Sequence, residues 1–106
     1  MNKEIQRKIN ESMQEVRISN RSGSHLGCFR CNVHDSDKHI FKMFEIWLEN
    51  RRLGVPILTE VIFNNGERAD ILLPVTKEVI EIMYSETKER LNAKNYPFPI
   101  RMVKVE

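Results

Sequence analysis

Three acidic residues on neighbouring predicted strands could share one chemical site. Glu60, Asp70 and Glu81 each lie within a stretch of aliphatic and β-branched residues. A carboxylate in such a strand is costly to bury unless a positive group lies beside it, and a divalent metal ion is the usual partner of clustered carboxylates. The alternative is that the acids are ordinary solvent-facing positions of an antiparallel sheet.

The turn before the last acid predicts which residues face each other. If residues 74–77 form a four-residue loop, Leu73 pairs with Glu78. Asp70 then lies directly opposite Glu81, with Cβ atoms about 4.5–5.5 Å apart. That separation suits two carboxylates that share one metal ion.

The turn before Asp70 places the third acid. A three-residue Asn64–Gly66 loop, closed by a left-handed glycine, pairs Phe63 with Glu67 and sets Glu60 opposite Asp70. A loop shorter by one residue would turn Glu60 to the other face of the sheet. We favour the three-residue loop, which aligns all three acids.

The order of predicted elements indicates an α/β fold. In chain order we predict helices over 2–18 and 35–52, strands over 57–63, 68–73 and 78–85, a helix over 86–94 and a strand over 100–105. The last strand–helix–strand crossover favours a parallel pair. The expected product is an αβββαβ core with a mixed four-stranded sheet flanked by helices, plus an extra N-terminal helix. The expected divisions are an N-terminal helix over 1–18, a Cys/His loop over 19–34 and a core domain over 35–106.

The two long predicted helices each carry an apolar face. In the second helix, capped by Asp35 or Ser36 and ended by Gly54, the expected face is Ile40, Met43, Phe44, Trp47 and Leu48. In the N-terminal helix it is a narrow stripe of Ile5, Ile9, Met13 and Val16. The stripe must cover the domain or a partner subunit, so we expect a homodimer.

The loop between these helices carries a second group of possible metal ligands. His25, Cys28, Cys31 and His34 follow one another at three-residue steps. Two thiolates and two imidazoles are a common set for structural Zn²⁺, although the spacing is tight. His39 could replace one histidine, or a second subunit could supply ligands. The alternative is two reduced cysteines in a loop.

Composition limits the class of protein. The chain has 106 residues, 41% of them hydrophobic and 30% charged, which is ordinary for one soluble domain. The formal net charge of +2 is compatible with nucleic-acid binding without arguing for it. No apolar run is long enough to span a membrane, and the polar N-terminus does not look like a signal peptide. We therefore expect a cytoplasmic protein without a membrane partner.

The acidic strands resemble a known family. Arg-Ala-Asp-Ile-Leu-Leu, a turn and then Val-Ile-Glu-Ile resemble the core of the PD-(D/E)XK, or restriction-endonuclease-like, superfamily, which has the same order of elements. The pattern is closer still to CoiA-like nuclease domains. The matching residues are His39, Lys42, Arg68, Asp70, Ile80, Glu81, Ser85 and Arg90.

The resemblance implies Mg²⁺-dependent hydrolysis of phosphodiester bonds in nucleic acid, with DNA as the expected substrate. Asp70 and Glu81 would hold Mg²⁺ or Mn²⁺, and Glu60 would add a ligand or position water. His39 and Lys42 would belong to the catalytic site through their place on the core helix.

One residue departs from the family pattern. The family's Glu-x-Lys is Glu81-Ile82-Met83 here, and a methionine can neither polarise water nor stabilise phosphate charge. We expect Lys42 or Arg68 to supply the missing charge, with Arg68 as the cross-strand neighbour of Met83. Otherwise the protein would be a degenerate nuclease fold that binds nucleic acid or protein.

Overall fold

The computed structural model describes residues 2–17, 26–83 and 95–105. Its elements are α1 (Lys3–Met13), α2 (Asp37–Arg52), β1 (Leu58–Ile62), β2 (Arg68–Leu73), β3 (Glu78–Met83) and β4 (Ile100–Lys104). The predicted helix over 86–94, with Arg90, and the predicted residues Ser85 and His25 lie outside the described residues.

The four strands form one mixed sheet in the order β1-β2-β3-β4. The first three strands are antiparallel neighbours, and β4 runs parallel to β3. The predicted α/β class, the mixed four-stranded sheet and the additional N-terminal helix are therefore confirmed.

Helix α2 begins and ends where its capping residues predict. The Ser36 hydroxyl accepts a hydrogen bond from the His39 N–H, and Gly54 follows the helix with φ 73°. Met43 and Ile46 are its buried residues. Phe44, expected on the apolar face of this helix, is 41% exposed, and its ring stacks on Trp47.

Helix α1 is shorter than predicted and packs on its own domain. Two i→i−3 bonds tighten the chain after Met13, and Val16 already forms an antiparallel bridge with Phe63. Ile9 and Ser12 are buried, and the Ser12 hydroxyl donates to the Pro74 carbonyl at 2.5 Å. The apolar stripe is therefore covered within the chain, so homodimerisation stays a prediction that this helix no longer supports.

The sheet carries a core on each face. The core on the α2 side consists of Met43, Ile46, Ile57, Ile71, Leu73, Ile80 and Ile82. The opposite core consists of Val16, Leu58, Val61, Phe63, Ala69, Leu72 and Val79, with Tyr96 and Phe98 packed against it. A sheet buried on both faces explains the near-continuous apolar runs in its strands.

Candidate functional site

Both predicted strand registers are confirmed. Leu73 pairs with Glu78 across the loop over residues 74–77. At the other turn, the Phe63 N–H donates to the Glu67 carbonyl at 2.9 Å, and Gly66 has φ 90°, as the three-residue loop requires.

These registers place the three acids at opposite positions on the neighbouring strands β1, β2 and β3. Thr59 pairs with Ile71 and Val61 with Ala69, so Glu60 and Asp70 face each other between these pairs. Ile71 pairs with Ile80, which leaves Asp70 and Glu81 as the next opposite positions on β2 and β3.

Regular strand geometry breaks at the level of the acids. Glu60 has φ 52°, in the left-handed region that a non-glycine residue adopts only with strain. Leu58 and Val61 belong to the same core although they are three positions apart, which strict alternation forbids. Ala69 and Ile71, two positions apart, belong to opposite cores. Both strands therefore change face at Glu60 and Asp70.

The side chains of Asp70 and Glu81 join β2 to β3 at this level. The Ile82 N–H donates to Asp70 Oδ2 at 2.8 Å, and the Asp70 N–H donates to Glu81 Oε2 at 3.3 Å. The paired part of β2 and β3 ends at Ile71 and Ile80, while β3 stays paired with β4 as far as Met83. The two carboxylates therefore replace main-chain bonds where the strands separate.

Tyr96 contacts the second oxygen of Glu81. Its hydroxyl lies 2.5 Å from the Arg68 carbonyl and also bonds Glu81 Oε1. Burial, followed by the bond to Glu81, raises the pKa of Tyr96 far above its ordinary value, so the hydroxyl remains a proton donor. Glu81, 3% exposed, thus has a protein donor on each oxygen.

Helix α2 brings a histidine to Asp70. His39 Nε2 lies 3.1 Å from Asp70 Oδ1 and 3.9 Å from Asp35 Oδ1. The hydrogen bond with Asp70 raises the pKa of His39 against the opposing effect of burial. Burial would raise the pKa of Asp70, but hydrogen bonds, the one with His39 foremost, hold it below its usual value.

Glu60 completes a group that could hold a metal ion. One ligand atom each from Asp35, His39 and Glu60 lies within 4.8 Å of the others, a spacing that no other set of three possible ligands achieves among residues 2–17, 26–83 and 95–105. Burial, a hydrogen bond with Asp35 and the nearby acids raise the pKa of Glu60 to about 8. Because crowded carboxylates cannot all ionise cheaply, a cation at this point would be stabilised.

The segment before α2 is anchored along β1. The Gly27 N–H donates to the Ile57 carbonyl at 3.0 Å. The Arg30 N–H donates to the buried Thr59 hydroxyl at 2.7 Å, and that hydroxyl lies 2.8 Å from the Arg30 carbonyl. The segment therefore covers the open edge of β1, which an exposed edge strand requires.

The two predicted replacement cations lie in different surroundings. Lys42 Nζ forms a 3.0 Å ion pair with Glu45 on the same helix. Arg68 is exposed and pairs with Ile62 of β1. The predicted pairing of Arg68 with Met83 is wrong, because pairing of β2 with β3 stops at Ile71 and Ile80.

Arg68 instead lines a small cleft next to Glu60. The cleft holds about 150 Å³ and is lined by Arg30, Cys31, Asn32, Glu60, Ile62 and Arg68. Glu60 thus contacts both the cleft and the Asp35–His39 pair.

The possible zinc ligands are not brought together where they can be described. Cys28 and Cys31 are exposed, free thiols. Within the described ranges, these cysteines and His34 do not form a ligand group with one another. His25 lies outside the described residues, so zinc binding stays a prediction.

Sequence reasoning missed Asp35 and Tyr96 as site residues. The sequence marks Asp35 only as a candidate helix cap, although its i,i+4 spacing to His39 could have indicated their proximity. Tyr96 lies far along the chain from Glu81, and no local pattern signals their contact.

Comparison with known proteins does not assign the chain to a family. The chain matches no protein-family model, no curated protein and no solved structure. The resemblance to the PD-(D/E)XK superfamily therefore remains a prediction from the sequence. In the described parts of the chain, no helix is both long and apolar enough to cross a bilayer.

Proposed function

We propose that this protein is a metal-dependent nuclease that hydrolyses phosphodiester bonds of nucleic acid, with DNA as the expected substrate and Mg²⁺ or Mn²⁺ as the ion. The observation that carries the proposal is the convergence of Asp35, His39, Glu60 and Asp70 where the paired strands separate. These residues come from a loop, a helix and two strands, and ionisable groups with shifted pKa values that converge in this way are characteristic of functional sites.

The donor set fits a divalent cation. Neighbouring ligands at right angles with bonds of ~2.1 Å lie about 3 Å apart. One ligand atom each from Asp35, His39 and Glu60 already lies within 4.8 Å of the others, with His39 Nε2 3.9 Å from Asp35 Oδ1, so small side-chain movements would bring them to that spacing. Carboxylate oxygens suit both Mg²⁺ and Mn²⁺, while the imidazole nitrogen of His39 is a better ligand for Mn²⁺, a transition-metal ion, than for Mg²⁺. We therefore expect Mn²⁺ to bind more tightly than Mg²⁺.

Glu81 takes a positioning role in this proposal. The Asp70 N–H and the Tyr96 hydroxyl already donate to its two oxygens. By holding the Asp70 main chain, Glu81 fixes the carboxylate that faces His39. The resemblance makes Glu81 a metal ligand, whereas its contacts here favour orientation of Asp70.

The chemistry divides between the ion and the side chains. A cation at Asp35, His39 and Glu60 would lower the pKa of an attacking water and neutralise charge on the scissile phosphate. Arg68, beside Glu60 in the same cleft, supplies the positive charge that Met83 lacks. Lys42 is less suited because it is paired with Glu45.

Calorimetric titration with MnCl₂ and MgCl₂ tests the metal site. We expect the wild-type protein to bind Mn²⁺ and the Asp35→Asn and Glu60→Gln variants to lose affinity by tenfold or more, on the order of 1.4 kcal/mol each. Glu49→Gln, an exposed acid of α2 outside the site, is the matched control. Absence of Mn²⁺ binding in the wild type, or unchanged binding in Asp35→Asn, would overturn the metal site.

Cleavage of single-stranded and plasmid DNA with Mn²⁺ tests the activity itself. We expect products from the wild type and Glu49→Gln, and none from Asp35→Asn or after chelation by EDTA. Melting curves of each variant confirm that loss of activity is not loss of fold.

Met83 favours one competing function, a degenerate nuclease fold that binds nucleic acid without cutting it. The methionine stands where the resemblance places a lysine, and it pairs with Lys104 of β4. In that case Mn²⁺ and oligonucleotide would bind, but no cleavage product would form at any Mn²⁺ concentration.

A further inference from the structure

We infer that the cleft lined by Arg30 and Arg68 is the subsite that holds a phosphate group of the nucleic acid beside the Asp35–His39–Glu60 group. This inference deepens the proposed function and rests on it. It assigns a role to Arg30, which the sequence pattern does not single out, and it makes Cys31 a reporter on the wall of the cleft.

The size of the cleft suits one group of a larger ligand. It holds about 150 Å³, below the ~300–1,000 Å³ of sites that enclose a whole small molecule. A single phosphate with part of its sugar is a suitable occupant, and the rest of the strand would lie outside on the surface.

The lining is chemically suited to an anion. Two arginines, Arg30 and Arg68, and the asparagine Asn32 are among the residues that line it. Guanidinium groups bind phosphate oxygens through paired, charge-assisted hydrogen bonds.

The one acid in the cleft does not prevent anion binding. Glu60 lines the cleft and is half-buried, but two arginines, Arg30 and Arg68, line it as well, so positive side chains outnumber the acid. A cation held by Asp35, His39 and Glu60 would offset the charge of this carboxylate further.

Both arginines project from anchored backbone. The Arg30 main chain is held on each side by the Thr59 hydroxyl, at 2.7 and 2.8 Å. Arg68 pairs with Ile62 of β1, and its carbonyl lies 2.5 Å from the Tyr96 hydroxyl. The backbone of both arginines is therefore held in place before a ligand binds, which lowers the entropy cost of binding.

Labelling of the two exposed cysteines tests the inference without relying on activity. Cys28→Ser leaves Cys31 in the cleft wall, and Cys31→Ser leaves Cys28, also exposed but outside the cleft. A maleimide reacts with each variant, with and without single-stranded oligo(dT) and MnCl₂. When the oligonucleotide concentration is ten times its Kd, we expect the rate of Cys31 labelling to fall about tenfold and the rate of Cys28 labelling to stay unchanged.

Arginine variants in the Cys28→Ser background then identify the anion contacts. We expect Arg30→Ala and Arg68→Ala each to weaken oligo(dT) binding about tenfold to a hundredfold and to remove the protection of Cys31. Arg68→Lys keeps the charge and should weaken binding less. Arg52→Ala, at a separate groove on α2, is the matched control and should protect Cys31 normally.

Small anions separate phosphate from other anions. Inorganic phosphate at millimolar concentration should slow Cys31 labelling, and acetate at the same concentration and ionic strength should not. Equal protection of Cys28 and Cys31, protection that survives in the Arg30→Ala/Arg68→Ala protein, or equal effects of acetate and phosphate would each overturn the inference.

The same samples distinguish failure of this inference from failure of the proposed function. Mn²⁺ binding without protection of Cys31 overturns the phosphate subsite and leaves the metal site standing. Protection of Cys31 without Mn²⁺ binding would show that the cleft binds anions. It would overturn the nuclease proposal, and with it the claim that the cleft is a subsite of a nuclease. Absence of both overturns both.

Discussion

The carboxylates of Asp70 and Glu81 hold two strands together where their main chains no longer pair. Asp70 Oδ2 accepts from the Ile82 N–H of β3, and Glu81 Oε2 accepts from the Asp70 N–H of β2. The remaining oxygen of Asp70 faces His39 of α2, and that of Glu81 faces Tyr96. These acids therefore position the candidate site and stabilise the sheet, and substitutions will affect both properties.

Replacing Asp70 should test the structural part of this relationship. Asp70→Ala removes the acceptor of the buried Ile82 N–H and the carboxylate 3.1 Å from His39 Nε2, and we expect a loss of about 2–4 kcal/mol in the free energy of unfolding. Asp70→Asn keeps an oxygen for the Ile82 N–H, so it should lose less than half as much. Urea denaturation measures both values, with the exposed Asp37→Asn as control. Wild-type stability in Asp70→Ala would contradict the role given to this carboxylate.

The pKa of Glu60 predicts how stability depends on pH in the absence of metal. The folded-state pKa of about 8 lies above the unfolded value of about 4.3. The folded protein therefore binds the extra proton, and this contribution to stability is lost as pH rises through about 8. Glu60→Gln should remove the loss. Since Glu60 is half-buried, solvent screening limits the gain at pH 9 to about 1 kcal/mol.

Melting curves between pH 5 and pH 9 in EDTA measure this effect. The His39 pKa is also raised, so its stabilising charge is likewise lost as pH rises. Because the charge of Glu60 also raises the His39 pKa, the difference between the wild-type and Glu60→Gln curves measures Glu60 together with its interaction with His39. Glu49→Gln should follow the wild type throughout. A Glu60→Gln protein that is less stable than wild type at pH 9 would contradict the prediction that ionisation of Glu60 destabilises the folded protein.

Removal of the Tyr96 hydroxyl tests the contribution of its hydrogen bond with Glu81. Tyr96→Phe keeps the ring against Phe63 but removes the hydroxyl that hydrogen-bonds Glu81 Oε1 and lies 2.5 Å from the Arg68 carbonyl. We expect a loss of about 1–3 kcal/mol in unfolding free energy. A double-mutant cycle with Glu81→Gln should give a coupling energy of about 0.5–3 kcal/mol. Strictly additive effects would show that the contact contributes nothing.

The register of the three acids could be predicted from sequence because it depends on local chemistry. Gly66 permits the left-handed residue that a three-residue hairpin loop needs, and a loop fixes the pairing of both strands it joins. The caps of α2 are local in the same way, and Ser36 and Gly54 determine its ends.

The ligand group could not be predicted because it depends on how elements pack. Counting alternation from the turns puts Glu60, Asp70 and Glu81 on one face, but the change of face at Glu60 and Asp70 breaks that alternation. Contact of His39 with Asp70 requires the docked position of α2. Phe44 is partly exposed for a related reason: periodicity marks an apolar side of the helix, and the aromatic ring of Phe29 lies beside Phe44 there.

The Thr59 hydroxyl connects the stability of β1 to the proposed binding cleft. It bonds both the N–H and the carbonyl of Arg30, so Thr59→Val should release the segment that carries Arg30 and Asp35. We expect a loss of about 1–3 kcal/mol in unfolding free energy, because two main-chain groups lose their partner. Oligo(dT) affinity and Mn²⁺ affinity should both fall, since the released segment contributes to each site. Thr59→Ser keeps the hydroxyl and should stay close to wild type in all three measurements. If Thr59→Val binds both ligands as the wild type does, then the anchoring of this segment is not what positions the cleft.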